Sequence, residues 1–189
     1  MAEHLDAAAH SSNAIPLEFV GFRLLTDADF PLLTAWLAEP HVRKFYQKAL
    51  VTLMDVASEY GPCVQGEEPT ICYLAVSGAM PFAYLQCYRN ADYPQWAEII
   101  GVADGISVDL YIGEPSFLGR GFGQAALRGF LRLIAFPHFR AESRVYISHE
   151  SGNEAALQCS RAVGFRPLQT FRENGVENIL LAMDKPSLK

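Results

Sequence analysis

Hydrophobic and polar positions along the chain repeat with two periods, and these periods predict the elements. A period of two is typical of strands, and a spacing of three or four residues is typical of amphipathic helices. Strands are predicted at 17–26, 70–89, 106–113, 143–150 and 165–185, where the second and last ranges are hairpins that turn near Gly78 and Gly175. Helices are predicted at 26–40, 52–62, 123–136 and 153–163, the second of them ending at Gly61-Pro62.

The order of these elements predicts the fold class. From the N-terminus it reads β, α, α, β, β, β, α, β, α, β, β, with a loop or short helix at 90–105. This is an α/β arrangement of the α+β kind, a three-layer sandwich in which helices flank a mixed, mostly antiparallel sheet. We expect a flexible tail at 1–16 and a single domain at 17–189.

Composition narrows the class of protein. Half of the 189 residues are hydrophobic and 19% are charged, which is typical of a folded domain of this length. No apolar run approaches the roughly 20 residues of a membrane-spanning helix. The first residues lack the lysines and arginines of a signal or transit peptide, so we expect a cytoplasmic protein with no membrane partner.

The charge of the chain and the spacing of its possible metal ligands indicate which partners to expect. Nucleic-acid binding needs a basic surface, whereas this chain has a net charge of −6 and no lysine or arginine cluster, so no nucleic acid is expected. An acidic protein is compatible with a cationic small molecule. The four cysteines and the histidines lack metal-ligand spacing, so we expect no metal.

A glycine-rich segment, "LGRGFGQ", separates the strand at 106–113 from the helix at 123–136. Gly119, Gly121 and Gly123 leave room for backbone N–H groups to converge on an anion at a helix N-terminus. The spacing differs from the P-loop pattern G-x-x-x-x-G-K-[ST] and from the dinucleotide pattern G-x-G-x-x-G. From these residues alone, an anion site and a plain tight turn both remain open.

A second motif lies downstream, in "SGNEAALQCSRAVGF". Together with the glycine loop it resembles the GCN5-related N-acetyltransferase (GNAT) superfamily, whose loop cradles the pyrophosphate of acetyl-CoA. The resemblance spans residues 20 to 185 and implies a GNAT-type fold, acetyl-CoA as co-substrate and direct transfer in a ternary complex. The residues it assigns to the cofactor are Leu110, Tyr111, Ile112, Leu118, Gly119, Arg120, Gly121, Phe122, Gly123, Gln124, Asn153 and Ala156.

Within this superfamily the chain resembles the aminoglycoside 6'-N-acetyltransferases. Their strand and loop are similar to "GISVDLYIGEPSFLGRGFG", which places Asp109 in register with the aspartate taken to be catalytic. The segment "WLAEPHVRKFY" resembles the aromatic segment that flanks the aminoglycoside. The resemblance therefore implies a cationic aminoglycoside as substrate, Asp109 as the catalytic residue, and substrate contacts from Phe45, Tyr46, Asp92, Trp96, Glu98 and Asp109.

The chemistry of amine acetylation suits Asp109 independently. An alkyl ammonium must lose a proton before its nitrogen attacks a thioester, and a nearby carboxylate can bind the cation and accept the proton directly or through water. Backbone N–H groups at 110–112 would polarise the thioester carbonyl. Without the resemblance, Asp109 would be interpreted as a polar residue on the exposed face of a half-buried strand.

Two positions depart from the family's pattern. Ser160 stands where many members have a tyrosine thought to protonate the CoA thiolate, and a serine is too short and too weakly acidic for that role. The proton then comes from water or from another tyrosine, for which Tyr111 and Tyr146 are candidates, or the thiolate leaves unassisted. Leu118 replaces the glutamine or arginine common at the start of the loop, which leaves anion binding to backbone groups and Arg120.

Other functions stay open. A siderophore-type lysine or hydroxylysine N-acyltransferase shares the loop architecture but tends to have histidine where this chain has Asp109. A catalytically weak acyl-CoA-binding module is compatible with Ser160. A protein N-terminus acetyltransferase has no distinguishing feature in this sequence. Both a monomer and a homodimer are compatible with it.

Overall fold

The computed structural model of the chain describes residues 20–185, so the tail predicted at 1–16 lies outside the described residues. One sheet of seven strands crosses the molecule in the order β1-β2-β3-β4-β5-β7-β6. All neighbouring strands are antiparallel except β4 and β5, which run parallel. The strands are β1 (Gly21–Leu24), β2 (Ile71–Ser77), β3 (Met80–Arg89), β4 (Ile106–Ile112), β5 (Arg144–Glu150), β6 (Arg166–Glu173) and β7 (Val176–Asp184).

Helices cover both faces of this sheet, as the sequence predicts. They are α1 (Phe30–Ala38), α2 (Pro40–Arg43), α3 (Leu53–Gln65), α4 (Pro94–Ile100), α5 (Phe122–Phe130), α6 (Phe136–His138) and α7 (Glu154–Val163). A wide π turn at Leu131–Ala135 joins α5 to α6. The prediction of a mixed, mostly antiparallel sheet between two helical layers is confirmed.

The two faces carry different cores. The front face, defined here by Tyr84 and Tyr111, packs against α1, α2 and α3 through buried side chains such as Leu33 and Tyr60. The back face packs against α5 and α7, with Phe130 and Leu157 in the larger core. Period-two alternation sends successive residues of β4 to opposite faces, so this strand contributes to both cores.

One predicted boundary is wrong. The helix expected to stop at Gly61-Pro62 continues as α3 to Gln65 and ends at Gly66, whose φ of 74° gives a left-handed C-cap. Proline lacks the N–H that would bond to the previous turn, so it weakens a helix without always ending it. Val56 and Tyr60 before Pro62, and Cys63 and Val64 after it, pack against the front-face core and stabilise the helix on both sides of the proline.

Gly113, directly after β4, fixes how closely α1 approaches the sheet. A Cβ at this position would lie 1.9 Å from the Trp36 ring of α1, closer than any real contact. Trp36 also packs edge-on against Tyr111, with ring centroids 6.4 Å apart. The glycine therefore lets a large ring sit on the end of the central strand. Within residues 20–185, no helix has both the length and the apolar character needed to cross a membrane.

Candidate active site

β4 and β5 part soon after they begin. They pair only at Ile106 with Val145 and at Ser107 with Tyr146. The Gly113 N–H donates to the Phe82 carbonyl of β3 at 2.9 Å. Because backbone groups alternate between the two sides of a strand, the amides of 110 and 112 turn away from β3 and toward the gap beside β5. The parting strands thus present backbone donors along one wall of a cleft.

Asp109 lies on the front face of β4, two residues beyond the last pair with β5. It is half-buried, and Gln86 stands opposite it on β3, donating from Nε2 to Oδ2 at 2.8 Å. Burial raises the pKa of Asp109 above its ordinary value, and the hydrogen bond from Gln86 acts in the opposite direction. Among the described residues no lysine, arginine or histidine forms an ion pair with this carboxylate.

Aromatic side chains flank Asp109. Tyr46, in the loop after α2, packs against Tyr111 with centroids 4.5 Å apart, and Tyr111 packs against Tyr84 at 5.3 Å. On the other side, Trp96 of α4 packs edge-on against Phe171 at 5.9 Å. The Trp96 indole lies 3.4 Å from the hydroxyl of Ser107, which faces the same way as Asp109. The carboxylate therefore lies between two aromatic walls.

The mouth of the cleft is bordered by polar contacts. Lys48, in the loop between α2 and α3, forms an ion pair of 2.6 Å with Glu150 at the end of β5. His41 of α2 lies with Nε2 2.8 Å from the carbonyl oxygen of Ile112 at the end of β4. These contacts join the front-face helices to the ends of both parting strands.

The glycine loop follows β4 and leads into α5. Gly119 and Gly121 adopt φ values of 67° and 84°, which favour glycine. Gly121 is the N-cap of α5, so the amides of the first turn have no partner inside the helix and point outward. Gly123, in the first turn of α5, packs close to α7, where a Cβ would lie 3.4 Å from Cys159 Sγ, in ordinary contact. Exposed backbone N–H groups at a helix N-terminus form an anion site.

α7 begins at its predicted cap. The Asn153 side chain accepts a hydrogen bond from the Ala156 amide at 3.3 Å. Further along α7, the fully buried Ser160 hydroxyl lies 2.8 Å from Nε2 of His149 on β5. Burial lowers the pKa of His149 to about 4, so its ring is neutral near pH 7. Ser160, which replaces the tyrosine of many family members, is therefore within hydrogen-bond distance of a neutral imidazole.

The sequence of the chain matches a known protein family. The sequence profile of the Acetyltransferase (GNAT) domain matches residues 26–172, most of the chain. The chain belongs to the GNAT acetyltransferase family. Members of this family use acetyl-CoA, which suits the parted strands and the glycine loop at the start of α5.

Two relatives are aminoglycoside N(6')-acetyltransferases type 1, from Klebsiella pneumoniae and Serratia marcescens. Each is 26% identical over 151 residues, which cover 77% of this GNAT chain and 73% of the relative. Two solved structures of AAC(6')-Ib share the fold at 24% identity. The structure in complex with paromomycin and acetyl-CoA has a TM-score of 0.74, and the match covers 88% of this chain and 93% of that one. The structure with coenzyme A and kanamycin has a TM-score of 0.73, and the match covers 88% of this chain and 95% of that one.

The other substrate residues predicted for this GNAT chain have different surroundings from Asp109. Asp92 is bound by Arg89 through two hydrogen bonds of 2.9 and 2.7 Å. Glu98 is exposed on α4. The Phe45 ring lies under the Lys44 ammonium, 4.9 Å from its centroid. The structure brings Tyr46 to the aromatic wall beside Asp109, and Trp96 to the opposite wall.

The predicted cofactor residues also occupy distinct places. Leu118 is 41% exposed at the start of the loop, and Arg120 donates to the Ser116 carbonyl at 3.0 Å. Phe122 is buried against Phe117, while Gln124 is half-buried in the first turn of α5. In this loop, the groups available to bind an anion are therefore backbone N–H groups and the exposed guanidinium of Arg120.

Of the candidate tyrosines, Tyr146 donates to Asp104 Oδ1 at 3.1 Å. The Tyr111 hydroxyl is buried and has no hydrogen-bond partner among the described residues. Sequence reasoning missed Gln86, which contacts Asp109 directly. Its signal was present: "PFAYLQCYR" is an apolar strand with one uncharged polar residue in its middle.

Proposed function

We propose that this GNAT acetyltransferase transfers the acetyl group of acetyl-CoA to the 6'-amino group of an aminoglycoside, in a ternary complex, and so gives resistance to that antibiotic. The observation that carries the proposal is the Asp109 carboxylate. It is half-buried where β4 and β5 part, and a neutral amide is its hydrogen-bond partner. A desolvated carboxylate without a cationic partner attracts an ammonium group.

Asp109 binds the ammonium and accepts its proton, directly or through one water. Its raised pKa brings the carboxylate closer to the working pH of a base than an ordinary aspartate. Once neutral, the amine nitrogen forms a bond to the thioester carbon while the carbon–sulfur bond breaks, and the acylated nitrogen then releases its second proton. The sulfur leaves as a thiolate, and this released proton reaches it through water. Direct transfer requires no cysteine nucleophile, and Cys159 is unsuited to be one, because burial raises its pKa to about 11 and keeps the thiol protonated.

Backbone groups hold and polarise the co-substrate in this proposal. Acetyl-CoA supplies an activated acetyl group on a long arm that ends in phosphates. The amides of Leu110 and Ile112 face the gap and can donate to the thioester oxygen as negative charge develops on it. The first-turn amides of α5 and the left-handed glycines suit the pyrophosphate. Arg120 is exposed beside them.

An aminoglycoside suits the other side of the cleft. These molecules carry several ammonium groups on sugar rings, and the chain has a net charge of −6. Aromatic walls such as Tyr46 and Trp96 offer flat apolar surfaces for sugar rings and π faces for cations. The two relatives named as aminoglycoside N(6')-acetyltransferases support the same class of acceptor.

The test measures thiol release from acetyl-CoA with kanamycin, tobramycin, lysine and N6-hydroxylysine as separate acceptors. We expect turnover with the aminoglycosides and acetylation at the 6' nitrogen, located by NMR of the product. Asp109→Asn should lower kcat/KM by about 10²-fold or more, with an unchanged Kd for acetyl-CoA. Asp27→Asn, in the turn before α1, serves as a matched control that removes a carboxylate far along the chain from β4.

Contrary outcomes are distinct. Turnover with the lysine-type amines alone would overturn the aminoglycoside assignment in favour of the siderophore-type function. Tight acetyl-CoA binding without turnover of any acceptor would favour a binding module. Full activity in Asp109→Asn would show that another group handles the ammonium.

A further inference from the structure

Gln86 lies in a strand that is otherwise apolar at this point. Its neighbours Leu85 and Cys87 are fully buried on the back face, while its own side chain faces the front. A half-buried amide in such a strand needs partners for both its donor and its acceptor. Gln86 has both: Asp109 Oδ2 at 2.8 Å from Nε2, and the Tyr84 hydroxyl at 2.7 Å from Oε1.

Asp109 and Tyr84 together set which way the amide points. An ionised carboxylate only accepts, so the amide nitrogen must face Asp109, and the Tyr84 phenol supports this orientation by donating to Oε1. Tyr84 is itself fully buried between β2 and α3, and its ring packs edge-on against Tyr60 at 5.3 Å. Its hydroxyl also lies 3.1 Å from Cys72 Sγ on β2. The phenol therefore has little freedom to turn.

We propose that Gln86, oriented by Tyr84, is the positioning residue for Asp109: its N–H holds Oδ2 and leaves Oδ1 to the ammonium of the acceptor. This inference rests on the proposed function, because it assigns a role relative to the amine. Holding one oxygen fixes the plane of the carboxylate, so the second oxygen meets the amine in a defined direction. The same bond favours the ionised form, which is the form that accepts a proton.

Other groups also act on the ionisation of Asp109, and none of them is a cation. The titratable groups that interact with it are the phenols of Tyr46, Tyr60 and Tyr88, the Glu173 carboxylate and, from the back face of the sheet, the Cys87 thiol. A negative Glu173 raises the pKa of Asp109, as burial does, while the Tyr88 phenol lowers it. Gln86 is the largest influence that keeps Asp109 ionised, so its removal has a predictable direction.

The test uses Gln86→Leu, which removes the donor at similar size, and Tyr84→Phe, which removes only the hydroxyl that orients the amide. Gln65→Leu, at the exposed end of α3, is the matched control. For each full-length protein, the Asp109 carboxyl carbon is titrated by NMR, with its signal assigned by its loss in Asp109→Asn. The pH profile of kcat/KM and the Kd for acetyl-CoA are measured on the same samples.

We expect Gln86→Leu to raise the pKa of Asp109 by about one unit, because a hydrogen bond to a charged group is lost. The acidic limb of the kcat/KM profile should move to higher pH by the same amount, and the plateau should fall by about tenfold. Tyr84→Phe should move both in the same direction but less, by about threefold on the plateau. Gln65→Leu should leave both unchanged, and acetyl-CoA should bind all variants equally.

The measurements separately test the positioning role of Gln86 and the role of Asp109 as base. An unchanged pKa of Asp109 in folded Gln86→Leu overturns the positioning role, whatever the activity. A raised pKa together with an unmoved activity profile overturns the role of Asp109 as base, whereas the proposed function is overturned only by absence of turnover with the aminoglycosides. Equal effects in Gln86→Leu and Gln65→Leu would reduce Gln86 to a packing residue and also overturn the inference.

Discussion

Two carboxylates of this chain, Asp29 and Asp109, are both shielded from water, yet they have opposite partners. Asp29 is buried just before α1, and the Arg23 guanidinium donates to its carboxylate through two hydrogen bonds of 2.7 and 2.6 Å. The Thr26 hydroxyl and amide add two more, at 2.8 and 3.0 Å. Asp109 has a neutral amide in place of the guanidinium.

The pKa values follow the partners. The hydrogen bonds and charge of Arg23 hold the pKa of Asp29 below its usual range, and burial raises the pKa of Asp109 above it. The fold neutralises the carboxylate that supports a helix start and leaves the carboxylate of the cleft without a cation. An unneutralised, desolvated charge is unfavourable for the folded chain alone, and the cationic acceptor proposed above would relieve it.

Giving Asp109 a cation of its own should have the largest effect. Gln86→Lys places an ammonium opposite the carboxylate, so Asp109 comes to resemble Asp29 and competes poorly for the acceptor. We expect kcat/KM for the aminoglycoside to fall by 10²-fold or more, as for loss of a general base. The NMR titration should show a lowered pKa for Asp109. Activity within a few-fold of the parent chain would contradict the comparison.

Removing each charge in turn should change stability in opposite directions. Asp29→Asn breaks the bond pair with Arg23, which is partly exposed, and should lower the free energy of unfolding by about 1–2 kcal/mol at pH 7. Asp109→Asn removes a desolvated charge and should raise it. Urea unfolding of the three proteins without ligand measures both changes, and a shared sign would refute the distinction.

The pH dependence of these differences separates the two carboxylates further. Asp29 has a lowered pKa, so its stabilisation is present above the ordinary value of about 3.9 and is lost as pH falls through the folded-state value. Asp109 has a raised pKa, so its ionised form destabilises the folded state above the folded-state value, and this penalty fades as pH falls toward about 3.9. In urea unfolding from pH 3 to 8, the gain in Asp109→Asn should therefore vanish at a higher pH than the loss in Asp29→Asn.

Asp92 should show the smallest effect. Its bonds to Arg89 are on a partly exposed surface, where an ion pair contributes less than about 1 kcal/mol. We expect Asp92→Asn to change the free energy of unfolding by less than this amount and to leave KM for the aminoglycoside unchanged. A clear rise in KM, with unchanged stability, would instead support the substrate contact predicted from the sequence.

Much of the fold follows from local pattern. The hairpin at Gly78, the strand with Asp109, the glycine loop and the α7 cap at Asn153 all depend on residues within a few positions of one another. The end of α3 does not, because Pro62 would stop an isolated helix and tertiary packing carries the chain past it.

The partners of Asp109 and Ser160 could not be predicted in the same way. Gln86 is 23 positions from Asp109, and they meet only because β3 and β4 pair in one register. Likewise, His149 meets Ser160 because α7 folds back over β5. Family resemblance marks the positions of Asp109 and Ser160, whereas the strand register and helix packing determine which side chains they contact.

The parting of β4 from β5 has a consequence for the lifetime of the protein. The arm of acetyl-CoA carries two amide groups, so when bound in the gap it can act as a short missing strand for the exposed edges. A ligand that binds only the folded chain stabilises it by about 2.7 kcal/mol at a hundredfold excess over Kd. Because the unfolded population falls, proteases that cleave the opened chain degrade the protein more slowly. The enzyme should persist longest in cells rich in acetyl-CoA, so the supply of one substrate also governs how much catalyst remains.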